Sequence, residues 1–579
     1  MTWEQRCRKA FAGVAVLLAL KDRPDPILHL VTDTMFDRRA QSGNHVRTGV
    51  IPALVLCCGT LLVLLGFFLG RTGESGSPSS GAREEKPASV AESLPPNVLR
   101  GQELSKVYCV TCHIYPEPEI LDRFTWAMET LPRMAFWVGH TDYDLGDEPD
   151  FEALSDSGML PTAPLMPVED WRAICDFYLH AAPAKAEEIE RTKTEVALTQ
   201  FAPRLLPANG PALSPLARIL PGKSQILLAD EAKQAVEVVD LEGRVLSSIS
   251  VGGLAVNAEP VDGGWEICLI GSLPPSDVAN GRLVFARESG GAATLLMDKL
   301  RRPAQSMTAD VDGNRKPDRL LNEYGNIMGG LTRVRARANG GFEKDRLIEQ
   351  PGVARVALGD FNGDGMQDIV AALAQARESL TILLNEGDGS FAPVSVADYH
   401  PAWGNVFVDV VDFNEDGRPD LLTCNGDSGD FTEYPSVKRV YHGVRILINQ
   451  GNGTDGTPTF DEAFFFPMYG AYRAAAVDFD EDGDFDIAAC SFYPDYATRR
   501  EESFVYLENR GGMNFHATTC AESLAGRWIA MDAADADGDG DVDLVLGSYV
   551  NGPGRVPELL SQAWDERGAK ALYLENKLR

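Results

Sequence analysis

The pattern of hydrophobic and polar positions divides the chain into segments of three kinds. Residues 48–70 carry no charge, and the run from Val50 to Leu69 is almost wholly apolar. Residues 97–182 place apolar side chains at helical spacing, whereas residues 201–579 contain short apolar runs separated by Gly and Asp clusters. The pattern therefore predicts a multidomain chain with an apolar helix, a small all-α region and an all-β region.

The apolar run at 48–70 is long enough to cross a bilayer, because a helix of about 20 residues spans about 30 Å. A secretory signal peptide has a shorter apolar core and ends at a small-residue cleavage site, so a retained anchor is favoured. Arg38, Arg39 and Arg47 precede the run and only Arg71 follows it closely. This asymmetry predicts a single-pass protein of the inner membrane. Its N-terminus would lie in the cytoplasm, and most of the chain, after residue 71, would lie in the periplasm.

The remaining segments before the all-β region are connecting chain. Residues 1–47 form the predicted cytoplasmic segment, which starts at either Met1 or Met35. Residues 71–96 are rich in Gly, Ser, Pro and Glu, a composition that predicts a flexible linker. Residues 183–200 are charged and are expected to connect the helical region to the all-β region.

Cys109, Cys112 and His113 form a C-x-x-C-H motif within the helical region. In such a motif the two thiols form thioethers with the haem vinyl groups, and the histidine supplies the proximal iron ligand. A thioredoxin-like redox pair would need a βαβ context, which the helical pattern does not provide. The motif predicts one covalently bound haem c.

Residues 97–182 resemble the cytochrome c family. The stretch VLRGQELSKVYCVTCH resembles its first helix leading into the haem loop, and MPVEDWRAICDFYLH resembles its last helix. The last stretch has apolar residues at i, i+3, i+4, i+7 and i+8, and this face is expected to pack across the first helix. Its members are Trp171, Ile174, Cys175, Tyr178 and Leu179.

The sixth ligand of the haem iron stays open among several residues. The family's order of motifs points to Met166, which lies 53 residues after His113 and just before the last helix. Met134 is the main alternative, because proteins that resemble this chain in joining such a cytochrome to a propeller carry a Met in a similar LP-x-M segment. His140, Met159 or an open position complete the alternatives.

Five acidic segments recur in the all-β region, and we call them acidic loops 1 to 5. They are DVDGNRKPD from Asp310, DFNGDGMQD from Asp360, DFNEDGRPD from Asp412, DFDEDGDFD from Asp478 and DADGDGDVD from Asp535. Their spacing of about 50 to 66 residues is typical of a propeller or array. Oxygen donors stand at positions 1, 3, 5 and 9 of each loop, which suits Ca²⁺. These predicted calcium ligands are Asp310, Asp312, Asn314, Asp318, Asp360, Asn362, Asp364, Asp368, Asp412, Asn414, Asp416, Asp420, Asp478, Asp480, Asp482, Asp486, Asp535, Asp537, Asp539 and Asp543.

Position 6 of each acidic loop is a sharp turn that favours a positive φ. It is a glycine in loops 2 to 5, but Arg315 occupies it in loop 1, so that site is expected to be weak or empty. We therefore expect four to five Ca²⁺ ions. An EF-hand is excluded, because position 12 is never a Glu and the flanking runs are strand-like.

The acidic loops resemble those of the FG-GAP or VCBS repeat family of β-propellers. The resemblance covers about residues 300–579 and, more weakly, 201–300. It implies blades of four strands, such as VALGDF, DIVAAL, LTILLNEG and FAPVSV. Two further blades without acidic loops fit between residues 205 and 300, so seven blades are predicted. Only about two strands follow loop 5, and a strand near 198–206 is expected to close the ring.

Charge and composition narrow the function. The net charge of −32 argues against nucleic acid as a partner. Beyond the helical region the histidines are His400, His442 and His516, which are too few and too scattered to indicate a hydrolytic or zinc site. The first hypothesis is a one-electron carrier, rather than a substrate-turnover enzyme, whose propeller docks a redox protein. The alternative is a binding, adhesion or scaffold protein whose propeller binds a glycan or protein, with a structural or sensory haem.

Overall fold

A computed structural model describes most of the chain beyond the linker. The described residues are 94–140, 157–185, 193–208, 210–337, 341–429 and 439–578. Residues 95–579 form one compact unit. The predicted cytoplasmic segment 1–47, the predicted membrane helix 48–70 and most of the linker lie outside the described residues. Among the described helices, none combines the length and the apolarity that a bilayer crossing requires.

The helical region begins with helix α1 (Pro96–Tyr108) and ends with helix α4 (Val168–Ala181). Shorter elements lie between them: 3₁₀ turns at Cys109–Thr111 and Pro118–Ile120, α2 (Arg123–Thr125), a π turn at Trp126–Thr130 and α3 (Leu131–Trp137). The predicted helical character of this region is confirmed for the part that the structure describes.

Helices α1 and α4 cross at Gly101. A Cβ atom on Gly101 would lie 1.9 Å from the carbonyl oxygen of Ala173 and 2.9 Å from Cβ of Phe177. Neither distance is sterically allowed, so only glycine permits this close approach. The crossing brings the end of α1, where the C-x-x-C-H motif begins, into a fixed relation with α4.

The predicted apolar face of α4 is confirmed at its centre. Trp171, Ile174 and Tyr178 are buried. Cys175 and Leu179, at the margins of this face, are half-buried. The buried side of α4 is completed instead by residues at the crossing with α1.

The described strands group into seven sheets, numbered here as blades 1 to 7 in chain order. In blades 1 to 3 each sheet consists of four consecutive antiparallel strands. Blade 1 contains Ala217–Leu220, Gln225–Asp230, Ala235–Asp240 and Val245–Ser250. Blade 2 contains Ala255–Val261, Gly264–Leu269, Gly281–Arg287 and Thr294–Leu300. Blade 3 contains Pro303–Ala309, Asp318–Glu323, Gly330–Ala336 and Phe342–Ile348.

Blades 4 to 6 follow the same plan. Blade 4 contains Val353–Gly359, Asp368–Leu373, Ser379–Asn385 and Phe391–Asp398. Blade 5 contains Asn405–Val411, Asp420–Asn425, Gly443–Asn452 and Pro458–Pro467. Blade 6 contains Ala471–Val477, Asp486–Ser491, Phe504–Asn509 and Phe515–Thr519, with 3₁₀ turns at Arg500–Ser503 and Ala521–Ala525 nearby. The prediction of seven blades, two of them before residue 301, is confirmed.

Blade 7 joins the two ends of the propeller. Its strands from the C-terminal side are Trp528–Ala534, Asp543–Ser548 and Ala569–Asn576, with helix α5 (Glu558–Arg567) before the last. The fourth strand, Phe201–Pro207, comes from the start of the propeller and pairs antiparallel with Ala569–Asn576. The predicted ring closure is therefore confirmed.

The connector at 183–200 is partly β-structure. Glu195–Val196 forms a short strand that pairs in parallel with Thr518 and Thr519 of blade 6. The expectation of a simple charged connector is corrected at this point. The chain thus contacts blade 6 before it enters blade 7.

The propeller has two faces with different loops. The first strands of neighbouring blades pack against each other around the axis. Each acidic loop joins the first strand of its blade to the second, so acidic loops 1 to 5 of blades 3 to 7 share one face, which we call the loop face. The links between blades, and the loops after the second strands, lie on the opposite face, which we call the pocket face.

Buried apolar side chains fill the spaces between the blades. Cys268, Cys424 and Cys490 are fully buried there. Phe201 on the closing strand is also fully buried, and its ring lies 5.2 Å from that of Phe479 and 5.4 Å from that of Tyr506.

Replacing Phe201 by Ala tests the closure. The loss of a buried aromatic side chain is expected to lower the free energy of unfolding by about 3–5 kcal/mol. Leu205 on the same strand is 38% exposed, so Leu205→Ala is a matched control with a much smaller expected effect. Urea unfolding followed by tryptophan fluorescence measures both. If Phe201→Ala and Leu205→Ala lowered the free energy of unfolding equally, the burial of Phe201 would not be what stabilises the closure.

Candidate functional site

The acidic loops fold around the carboxylate at position 1. In loop 2 the Oδ1 atom of Asp360 accepts a hydrogen bond from Asp364 N at 3.1 Å, and its Oδ2 atom accepts one from Gly365 N at 2.8 Å. Asp412 in loop 3 and Asp478 in loop 4 accept the same bonds from their positions 5 and 6. The turn requires a positive φ at position 6, where Gly365 has a φ of 84°.

The side chains at positions 1, 3 and 5 converge. Carboxylate oxygens of Asp478, Asp480 and Asp482 lie within 4.8 Å of one another, and the same holds for Asp535, Asp537 and Asp539. In loops 2 and 3 position 3 is an asparagine whose amide donates to the carboxylate at position 5, at 2.9 Å and 3.0 Å. Three converging carboxylates repel one another unless a cation lies between them, and an all-oxygen set suits Ca²⁺. The structure thus contains possible calcium sites of the predicted kind.

The aspartates at position 9 have a different environment. Asp368, Asp420, Asp486 and Asp543 are fully buried at the start of the second strand of their blades. The Oδ2 atom of Asp368 accepts from Phe361 N at 3.0 Å, and its Oδ1 atom accepts from Asn385 N at 2.8 Å. Both oxygens therefore bond to the main chain, which ties the acidic loop to the third strand of the same blade.

A set of asparagines that sequence reasoning missed extends this tie to the preceding blade. The side-chain amide of Asn385 donates to Val311 O at 2.8 Å, in acidic loop 1. In the same way Asn449 donates to Phe361 O at 3.1 Å, and Asn576 donates to Phe479 O at 2.8 Å. An Asn in the last residues of the third strand in blades 4 to 7 was the available sequence signal. In blade 6 this residue, Asn509, donates instead to Phe485 O of its own blade at 3.2 Å. We call these Asp–Asn pairs the blade latches.

Acidic loop 1 departs from the others in three ways. Arg315 takes a positive φ of 64° at position 6, which is strained for any residue with a Cβ. The third strand of blade 3 ends at Ala336, so this blade has no latch asparagine. The Oδ2 atom of Asp318 is buried with no hydrogen-bond partner, and burial raises the pKa of Asp318 to about 6. These differences agree with the expectation of a weaker site in loop 1.

The C-x-x-C-H motif follows directly from helix α1. Cys109 is half-buried and Cys112 is exposed. Burial raises the pKa of the Cys109 thiol to about 11. Nδ1 of His113 lies 2.8 Å from Ile114 O, and because a carbonyl only accepts, Nδ1 carries the proton. The Nε2 atom of His113 therefore keeps its lone pair for a metal.

Two buried aromatic residues hold the segment after His113. The hydroxyl of Tyr178 donates to Pro116 O at 2.8 Å, and the indole of Trp126 donates to Pro118 O at 2.8 Å. The two rings also pack together, with centroids 4.3 Å apart. Helix α4 thereby sets the position of the motif.

The surface around the motif fits a haem. Val107, Val110 and Ile114 flank the thiols in sequence, and all three are exposed. The two thiols, the free imidazole nitrogen and this apolar surface are the features that a covalently bound macrocycle needs.

The predicted sixth ligands occupy different environments. Met166 is 3% exposed, Met134 is half-buried on α3 and Met159 is exposed. Nε2 of His140 is buried without a hydrogen-bond partner, and the ring lies 6.3 Å from that of Trp171. None of these environments selects one ligand over the others.

A narrow cavity of about 100 Å³ lies on the propeller axis at the pocket face. Polar and aromatic residues that line it include Arg302, Tyr324, Gln375, Asp427, Tyr472 and Tyr493. Tyr324 donates to Asp427 Oδ2 at 3.3 Å, and the guanidinium of Arg302 lies 4.8 Å from the centre of the Tyr324 ring. Sequence reasoning missed this set. The signal was positional, because Tyr324, Gln375, Asp427 and Tyr493 each come one or two residues after the second strand of a blade.

The comparisons with known proteins agree with the propeller and its loops. Residues 360–423 match the FG-GAP-like repeat family. This range runs from acidic loop 2 to the second strand of blade 5, and the predicted resemblance to such repeats is confirmed there.

Among curated proteins the chain is similar to integrin alpha-V of Gallus gallus. The two are 25% identical over 213 residues, which cover 34% of this chain and 20% of the integrin. The match thus spans only a fifth of the integrin's length. What the whole integrin does is therefore not transferred to this chain.

Solved structures with some likeness include a streptogramin B lyase, which is 10% identical with a TM-score of 0.39 over 65% of this chain and 98% of the lyase. A calcium-binding regucalcin of Agrobacterium tumefaciens is 12% identical with a TM-score of 0.35 over 65% of this chain and 94% of the regucalcin. At these values the likeness carries no functional argument.

Replacing Asp482 by Ala tests the calcium sites. The change removes the position 5 oxygen of acidic loop 4, so the protein is expected to bind one Ca²⁺ fewer. A site saturated a hundredfold above its Kd stabilises the fold by about 3 kcal/mol, so the calcium-dependent rise in Tm should also shrink. Isothermal titration calorimetry and thermal unfolding with Ca²⁺ or EDTA measure the two effects.

Asp484→Ala is the matched control, because it removes the same charge from the same loop at a position outside the carboxylate cluster. It should bind as many Ca²⁺ ions as the unchanged protein. Identical stoichiometry for both variants would show that the cluster does not bind the ion.

Proposed function

We propose that this protein is a calcium-binding β-propeller that binds a protein or glycan ligand at its pocket face. The observation that carries this proposal is the axial cavity, in which aromatic rings, a guanidinium and a carboxylate converge from several blades. The acidic loops lie on the opposite face. Calcium would stabilise the blades from the loop face, and the ligand would bind at the cavity on the pocket face.

The size of the cavity limits what enters it. Pockets for whole small molecules measure about 300–1,000 Å³, whereas this cavity measures about 100 Å³. It therefore admits one side chain or one sugar substituent of a larger ligand. Burial raises the pKa of Tyr472 to about 12, so its phenol stays protonated and is a neutral hydrogen-bond donor.

Asp427→Asn tests the ligand site, with Asp388→Asn as the control. Both change a carboxylate to an amide, but Asp427 lines the cavity, whereas Asp388 is in an exposed turn at the loop face, where it bonds Ser390. The probes are an oligosaccharide array and a displayed peptide library, in Ca²⁺. Ligands that bind the unchanged protein should bind Asp427→Asn at least tenfold more weakly, which corresponds to a loss of about 1.4 kcal/mol of binding free energy. They should bind Asp388→Asn as tightly as the unchanged protein. Absence of binders, or binders indifferent to Asp427→Asn, would refute the proposal.

A second candidate function is one-electron transfer through a haem c held by Cys109, Cys112 and His113. The observation that favours it is the free Nε2 atom of His113 beside two thiols and an exposed apolar surface. A bound haem supplies an Fe(II)/Fe(III) couple. In this function the chain's own residues attach the group, orient it through Tyr178 and Trp126, and present its edge to a redox protein.

The location proposed for both functions is the outer side of the inner membrane. A single helix at 48–70 would anchor the chain, with the N-terminus in the cytoplasm and residues after 71 in the periplasm. Covalent attachment of haem of this kind takes place outside the cytoplasm. A redox protein is the partner proposed for the haem, and the net charge of −32 argues against nucleic acid as a partner.

A pyridine haemochrome assay on the full chain, produced with haem-maturation machinery, tests the second candidate. One haem c per chain and a reversible reduced-minus-oxidised spectrum are expected. Cys109→Ser with Cys112→Ser should abolish covalent attachment, whereas Cys175→Ser, which changes a half-buried thiol on α4, should keep it. A chain that matures without covalent haem would leave the calcium propeller as the whole function.

A further inference from the structure

Two histidines from distant parts of the chain meet where the helical region contacts the propeller. The ring centroids of His113 and His400 lie 6.2 Å apart, with an angle of 60° between the ring planes. Two imidazoles that bind one metal ion from opposite sides are separated by two bonds of about 2.0 Å and two half-rings, or about 6 Å in all. The observed separation is that of a pair of axial ligands.

His400 is suited to bind a metal. It lies in the link between blades 4 and 5, it is 6% exposed, and its Nε2 atom has no hydrogen-bond partner. A buried polar atom without a partner costs about 1–3 kcal/mol, a cost that a bond to a metal removes.

The other nitrogen of His400 orients the ring. Ala402 N donates to His400 Nδ1 at 3.3 Å, a long hydrogen bond. A metal at Nε2 requires the proton on Nδ1, so this long hydrogen bond is lost when the metal binds.

The loop that carries His400 is held firmly at the pocket face. The ring of Trp403 stacks on Tyr399 at 5.0 Å and on Tyr441 at 5.3 Å, and the guanidinium of Arg445 lies 4.6 Å from the Trp403 ring. The hydroxyl of Tyr441 also donates to Ile120 O of the helical region at 3.4 Å. This second contact fixes the helical region beside His400.

We propose that His400 is the sixth ligand of the haem iron, opposite His113, so that the propeller and the helical region share one haem. The proposal rests on the haem of the second candidate function. It places the iron at the boundary between the two regions, on the face that carries the axial cavity. It also makes the docking of the helical region depend on the iron.

The test compares iron ligation in the full chain and three variants, produced with haem-maturation machinery. Ferric EPR and near-infrared magnetic circular dichroism distinguish two histidines from a histidine and a methionine, since only methionine gives a sulfur-to-iron charge-transfer band. The unchanged protein should show low-spin iron without that band. His400→Ala should give high-spin iron that returns to low spin when imidazole is added. His400→Met should introduce the sulfur band.

His442→Ala is the matched control. His442 is also buried in a loop of the pocket face, and its Nε2 atom likewise has no hydrogen-bond partner. Its spectra should equal those of the unchanged protein. Far-UV circular dichroism and the calcium-dependent Tm identify any variant that fails to fold, and His400→Met then still reports on the ligand.

The outcomes separate this proposal from the one on which it rests. If the chain carries no haem, both are overturned. If haem is attached but His400→Ala leaves the spectra unchanged, only the role of His400 is overturned. In that case Met166→Ala and Met134→Ala, measured in the same way, identify the ligand, and a sulfur band in the unchanged protein would already exclude His400.

Discussion

The antiparallel pairing of Phe201–Pro207 with Ala569–Asn576 is the contact on which the rest of the propeller depends. Without it blade 7 would have three strands, and no hydrogen-bonded pairing would join the start of the propeller to its end. The entropy of closing a loop grows only with the logarithm of its length, so each doubling of the loop costs about 0.6 kcal/mol more. Burial of one aromatic side chain, Phe201, offsets several such doublings.

The closed ring brings the carboxylates of the five acidic loops to one face of the propeller, where they need hydrogen-bond partners or a cation. The acidic loops gather on one face, and in loops 2 to 5 the buried Asp at position 9 has both oxygens bonded to the main chain. In blades 4, 5 and 7 the blade latches then connect this Asp, through an Asn, to the loop of the preceding blade. A cation bound at positions 1, 3 and 5 would therefore stabilise not only its own loop but also the junction between two blades.

The pocket face joins features that belong to different parts of the chain. The axial cavity draws its lining from the ends of second strands, while the links between blades carry His400 and the aromatic stack around Trp403. The helical region contacts this face at Tyr441 and His400. The cavity and the loops that contact the helical region thus lie on the same face of the propeller.

The sequence by itself determined the features that depend on local spacing. Strand periodicity and the recurring acidic loops predicted seven four-stranded blades, and the glycine at position 6 predicted a positive φ, because each is a property of a few consecutive residues. Helical spacing likewise placed Trp171, Ile174 and Tyr178 on one buried face. Tertiary structure alone decided that Asp368 and its counterparts bridge main-chain atoms, that Tyr324 and Asp427 share a cavity, and that His400 lies beside His113. These contacts join residues far apart in the chain, and their partners are set by the packing of blades and helices, which no local pattern encodes.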